Sequence, residues 1–262
     1  MSGHSKWSTI KRKKGANDAK RGQLFAKLVK AIEIAARNGG TDPANNASLY
    51  QAIQKAKSNS VPNENIERAL KRVDGNLETG EIFELSYEGY APHGVALLIS
   101  CLTDNKNRTS SDVKATLTKH GGSMGTPGSV NYLFERKAVF QFDKYNDELI
   151  DLALNSDCLD ILESNQSVTF EFPPSDFKNM NEKFNNNSFV PSNAEIAQIP
   201  NVGVVIDMEK FKSVSKLISA LEDLDDVQDV YANFDIEEKE LEALLSELSL
   251  IHISEPTRLE RI

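Results

Sequence analysis

In GQLFAKLVKAIEIAARNGG, apolar side chains recur at Leu24, Phe25, Leu28, Val29, Ile32, Ala35 and Ala36. This 3.6-residue spacing predicts an amphipathic helix, with Lys27, Lys30 and Arg37 projecting from the opposite side. Gly39 and Gly40 can take the left-handed conformation that ends it, and Pro43 opens another. ASLYQAIQKAKSN reads as a second helix. Pro62, beside a capping Asn63, starts NENIERALKRVDG, where Ile66, Ala69, Leu70 and Val73 repeat at helical spacing before a stop at Gly75. Residues 22–75 therefore predict a small helical bundle.

The pattern changes at residue 82. FELSYEGYAPHGVALLISCLT alternates and then runs continuously apolar, so Val95 to Cys101 reads as a buried strand. RTSSDVKATLTKHGG follows as a helix with Thr109 or Ser110 as its cap, and SVNYLFERKAVFQFD as one or two strands. The chain then reads as a helix near Asp147 to Asn155, the strand SVTFEF, a helix from Ser175, the strand VGVVID, the helix FKSVSKLISALEDL and the strand VQDVYANFD. Strands alternating with single helices predict α/β sandwiches with helices on one face of an antiparallel or mixed sheet. The last residues, LSLIHISEPTRLERI, break this grammar at Pro256 and resemble translated sequencing adapter, so residues 250–262 are set aside as foreign.

Charge alters the picture more than composition does. The chain has a net charge of −9, yet residues 1–75 hold 15 Lys or Arg against 6 Asp or Glu, a net +9, and the remainder holds 15 against 33, a net −18. Polyanion binding requires such a basic domain, whereas the solubility of an acidic protein does not. Trp7 beside Lys6 supplies an indole that can stack on a base or pack the arm onto the bundle. No stretch of the first 30 residues has the apolar core of a secretory signal, and nowhere do 18 consecutive apolar residues occur, so a cytoplasmic protein without a membrane partner is expected.

Catalytic chemistry is poorly supplied. Cys101 and Cys158 lie 57 residues apart, a spacing of neither a metal site nor a disulfide framework, and read as buried thiols. The four His show no paired spacing for zinc. GGSMGTPGS lacks the Lys-Ser/Thr of a phosphate loop and reads as a turn, and EDLDDVQD reads as a solvated surface rather than a magnesium site. No catalytic residue, metal, cofactor or small-molecule substrate is expected. An enzyme such as a nuclease or phosphoryl hydrolase requires a carboxylate cluster that the motifs do not provide. TDNKNRTSSDV is different: it follows a buried strand and opens a helix, so Asn105, Lys106, Asn107 and Arg108 would surround free backbone N–H groups that attract an anion.

The strings GHSKWSTIKRKKGANDAKRGQLFAKLVKAI, VPNENIERALKR, YEGYAPHGVALLISCLTDNKNRT, GGSMGTPGSVNYLFERK and LEDLDDVQDVYANFD occur in this order, and the chain resembles the YebC/PmpR family from residue 2 to about 236. The resemblance implies an α+β fold: an N-terminal helical bundle and two small ferredoxin-like α/β sandwiches, the third domain inserted in the second. The implied bounds are 1–79, 80–133 with 203–236, and 134–202, followed by an acidic helix and the foreign tail over 237–262. It also implies a non-enzymatic, cytoplasmic, DNA-binding regulator of transcription, while other relatives act in translation or look ribosome-associated. DNA or RNA, and the ribosome in the alternative reading, are the expected partners. Residue types and charge nominate Lys6, Trp7, Lys11, Arg12, Lys13, Lys14, Lys20, Arg21, Lys27, Lys30, Asn105, Asn107 and Arg108 as the contacts.

Overall fold

The computed structural model describes residues 18–75, 82–164, 167–237 and 240. The expected acidic helix and foreign tail fall outside them, apart from residues 237 and 240. Three helices form the N-terminal bundle: α1 (Asp18–Gly39), α2 (Ala47–Ser58) and α3 (Asn63–Asp74). Leu28, Ile32 and Ala36 of α1, Leu49 and Ile53 of α2, and Ile66 and Ala69 of α3 share their core. Gly40, at φ +89°, ends α1 in the conformation that glycine adopts without strain. Two starts differ from expectation. Pro43 lies in a turn, and α2 begins after Asn46, whose side chain accepts from Leu49 N. Pro62, not Asn63, occupies the cap position of α3, without a side-chain hydrogen bond.

Strands β1 (Phe83–Tyr90) and β2 (Ala96–Thr103) form a hairpin, followed by α4 (Lys106–Lys119) and the short β3 (Ser123–Met124). The chain continues through β4 (Phe134–Phe142), α5 (Asp147–Leu154), β5 (Asp160–Ser164), β6 (Ser167–Phe172), α6 (Phe177–Asn186) and β7 (Asn193–Pro200). It ends with β8 (Val204–Val205), α7 (Met208–Glu222), β9 (Val227–Ala232) and β10 (Phe234–Asp235).

Two four-stranded antiparallel sheets result, ordered β3-β1-β2-β9 and β5-β6-β4-β7, while β8 and β10 make a small parallel pair. The second sheet, built β-α-β-β-α-β, has the ferredoxin-like arrangement. Each sheet carries its helices on one face: Leu97, Ile99 and Cys101 of β2 pack with Val113 and Leu117 of α4 and Leu217 and Leu221 of α7. Phe140 and Phe142 of β4 pack with Leu149 of α5 and Phe184 of α6. The opposite faces meet each other through Ala96, Leu98 and Tyr231 on one sheet and Val139, Ala197 and Ile199 on the other. β2 is thus buried on both faces, which is why it reads as an unbroken apolar run. Three strands, β3, β5 and β7, have no counterpart in the sequence reading, and the expected strand VGVVID shrinks to the two residues of β8.

Candidate nucleic-acid interface

Lys6, Trp7, Lys11, Arg12, Lys13 and Lys14 lie outside the described residues, and Lys20 stands in the first turn of α1. Arg21 is exposed, its guanidinium carbon 5.5 Å from the centre of the Phe25 ring.

Lys27 and Lys30 depart from expectation. They leave the bundle's own core, as their spacing predicts, but enter a second buried surface rather than solvent. Lys27 is 9% exposed and donates to the Glu222 and Leu224 carbonyls at 2.5 and 2.6 Å. A cation so placed meets the negative end of α7 and satisfies carbonyls that the helix leaves unpaired. Lys30 donates to the Leu102 carbonyl at 2.8 Å and to Asp226 Oδ1 at 3.3 Å. In α2, Lys55 reaches Asp229 Oδ1 at 2.5 Å. Part of the basic bundle's charge therefore docks it onto its acidic neighbour.

Asp226 is the centre of this junction. It accepts from Thr109 Oγ1 and an Arg108 terminal nitrogen at 2.8 Å each, and from Thr103 Oγ1 at 3.1 Å, in addition to Lys30. Burial pushes its carboxyl up, but Arg108, Thr109, Lys30 and Thr103 together hold it below the ordinary aspartate value. The reading of EDLDDVQD as solvated surface is thus corrected at two positions: Asp223 and Asp225 are exposed, whereas Asp226 and Asp229 carry interdomain bonds. Among the described residues, no group of three His, Cys, Asp or Glu is placed to hold a metal ion.

The TDNKNRTSSDV segment does open a helix, but Asn105 caps it, accepting from Arg108 N at 3.1 Å; Thr109 and Ser110, the expected caps, lie within the helix, and Thr109 is buried against Asp226. Asn107 is exposed on the first turn. The Arg108 fork is held between Asp104 at 2.7 Å and Asp226 at 2.8 Å. Beside it a recess of about 540 Å³ is lined by Arg108, Asp112, Asp223, Asp225 and Asp226, with Gln23 of α1. This surface is acidic, so the anion-attracting point expected there is outweighed by carboxylates.

The Gly-rich turn is a carboxylate cradle, which the sequence reading missed. Glu88 of β1 accepts from the backbone N–H of Gly128, Val130 and Asn131. Burial raises its carboxyl, and the three N–H groups more than offset that, leaving it below the ordinary glutamate value. The loop's donors are therefore engaged by an internal anion rather than turned toward a phosphate. Glu88→Ala is expected to cost roughly 2 kcal/mol, since it strips three donors of a charged acceptor. Hydrogen exchange should lose protection at residues 128–131. Because the folded carboxyl titrates lower than the unfolded one, this stabilisation is complete above the unfolded value and fades as pH falls through the folded value.

Cys101 is fully buried, and burial, with Asp226 nearby, pushes its thiol up to about 12. Cys158 is only half-buried, against expectation, with Sγ 3.2 Å from the Asp160 carbonyl oxygen.

Comparison with known proteins now bears on this architecture. Residues 5–76 match the family model described as TACO1/YebC protein N-terminal domain, and residues 82–234 match TACO1/YebC second and third domain. The chain belongs to the TACO1/YebC family. A relative from Borrelia garinii subsp. bavariensis is 50% identical over 242 residues, 91% of this chain and 99% of the relative. One from Mycobacterium tuberculosis is 46% identical over 248 residues, 93% of this chain and 99% of the relative. Both bear the name "probable transcriptional regulatory protein". The TACO1/YebC fold here also matches the crystal structure of a conserved hypothetical protein from Aquifex aeolicus, with a TM-score of 0.75 at 41% identity over 84% of this chain and 93% of that one.

Proposed function

We propose that this TACO1/YebC chain is a non-enzymatic, cytoplasmic regulator of gene expression that binds nucleic acid, DNA in the first place, through its basic N-terminal segment. The observation carrying this reading is how the charge is spent. Lys27, Lys30 and Lys55 dock the bundle on its acidic partner. Lys6, Lys11, Arg12, Lys13, Lys14, Lys20 and Arg21 precede them within 21 residues that contain one acid, Asp18. Such a density of cations suits a phosphate backbone and confers little sequence discrimination by itself. The names of the relatives support a regulatory role. Among the described residues no helix is long and apolar enough to cross a membrane, in keeping with the proposed cytoplasmic location.

Promoter footprinting with the full chain, joined to sedimentation of cell lysate with and without DNase, tests this reading. Site-specific protection of duplex DNA, and loss of the protein from the nucleoid fraction after DNase, are expected. Co-sedimentation with ribosomes that resists DNase and yields to salt, without a footprint, would replace it with the translation reading.

A further inference from the structure

A recess between α1 and α3 plays no part in the interdomain junction. Phe25, Ala26 and Val29 of α1 and Asn65, Arg68 and Arg72 of α3 line an open recess of about 220 Å³. One wall is apolar and includes an aromatic ring that is only half-buried. The other carries two guanidinium groups and an amide. Arg68 and Arg72 hold Glu64 at 2.7 Å and Glu33 at 3.1 Å, but their side chains are 56% and 54% exposed. Ion pairs in that much water are weak and exchange for another anion, and a planar fork takes phosphate bidentately. Arg21 already places a planar cation over Phe25, so this ring face is accessible to a flat group. Asp18, the first residue of α1, lies about two turns before Phe25.

We infer that the recess takes one unpaired base of a single-stranded nucleic acid, stacked on Phe25, with the neighbouring phosphates on Arg68 and Arg72. This inference rests on the nucleic-acid reading above and adds to it a second, chemically different contact. The base lies in the recess against the Phe25 ring, and Asn65 offers an amide to the base edge. A duplex cannot use the site, because its bases are stacked on one another.

The test uses the full chain and a short single-stranded RNA, the same sequence as single-stranded DNA, and its duplex, with three variants: Phe25→Leu, Phe25→Tyr and the pair Arg68→Gln with Arg72→Gln. Phe25→Leu keeps apolar bulk and removes the π face, so single-strand affinity should fall about tenfold while duplex affinity stays the same. Phe25→Tyr should retain wild-type affinity. The arginine pair should reduce the single-strand log-log salt slope by about 1.4. Equal behaviour of the leucine and tyrosine variants on single strands would overturn the inference, and a fold defect in one of them is excluded by an unchanged urea midpoint. If a glutamate–tyrosine copolymer loses affinity on Phe25→Leu while RNA and DNA do not, the recess belongs to an acidic protein partner and the inference fails. If the wild type binds neither strand form, the nucleic-acid reading itself fails, which is a distinct result.

Discussion

Asp226→Ala is expected to destabilise the protein by about 2–4 kcal/mol, below the range for a fully buried ion pair because 29% of the Lys30 side chain and 48% of the Arg108 side chain remain in water. The Asp226 side chain is 11% exposed and holds groups from three elements: Thr103 of β2, Arg108 and Thr109 of α4, and Lys30 of α1. Alanine leaves the Thr hydroxyls without this acceptor and Lys30 without its carboxylate. Asp226→Asn preserves the shape but not the charge and should fall between wild type and alanine. Urea midpoints at neutral pH measure the loss. Its pH dependence follows from sign. The folded carboxyl titrates below its unfolded value, so the stabilisation is complete above about pH 4 and disappears as pH falls through the folded value. The alanine and wild-type stabilities should accordingly converge in acid.

Lys55 supplies the second large effect. It bonds Asp229 at 2.5 Å, with 26% of each side chain exposed, and the carboxylates of Glu195 and Glu222 also act on it. Burial lowers its ammonium, and Asp229 with the two glutamates raises it further, to a net value above the usual lysine. Lys55→Met should cost about 2–3 kcal/mol, less than a fully buried pair because water reaches both groups. Adding Asp229→Asn should return a substantial part of that, since the first change leaves the Asp229 carboxylate without its cation. Urea unfolding of the four members of this cycle measures the coupling. A raised lysine stabilises below its unfolded value and loses that effect as pH rises through the folded one, so the contribution is intact at neutral pH and fails only in alkali.

The elements that could be read from sequence are those whose environment is simple. α7 shows a clear helical stripe because Phe211, Val214, Leu217, Ile218 and Leu221 face one core. β2 shows a continuous run because both of its faces are covered. β7 was missed because Asn193, Glu195 and Gln198 interrupt its alternation, and Glu195 is buried despite its charge. β5, five residues with exposed Asp160 and Glu163, offers no apolar run at all. Lys27 and Lys30 show a different limit. Periodicity separates a helix's core stripe from the rest, but it cannot tell water from a second domain that brings carbonyls and carboxylates. Their engagement follows from topology, which sets α1 against the C-terminal end of α7. Glu88 gave no signal either, because its partners are the backbone N–H groups of a loop 40 residues away.

The central claim is that the basic charge is divided, with α1 and α2 docking the bundle and the preceding arm left for phosphates. Its most direct test is the salt dependence of duplex DNA affinity for the full chain and for the variant with Lys11, Arg12, Lys13 and Lys14 replaced by Ala. The log-log slope should become shallower by roughly 3 to 4 units, at about 0.9 for each phosphate that the arm no longer neutralises, with sequences weakened alike and the urea midpoint unchanged. Unchanged slope and affinity in that variant would contradict the claim.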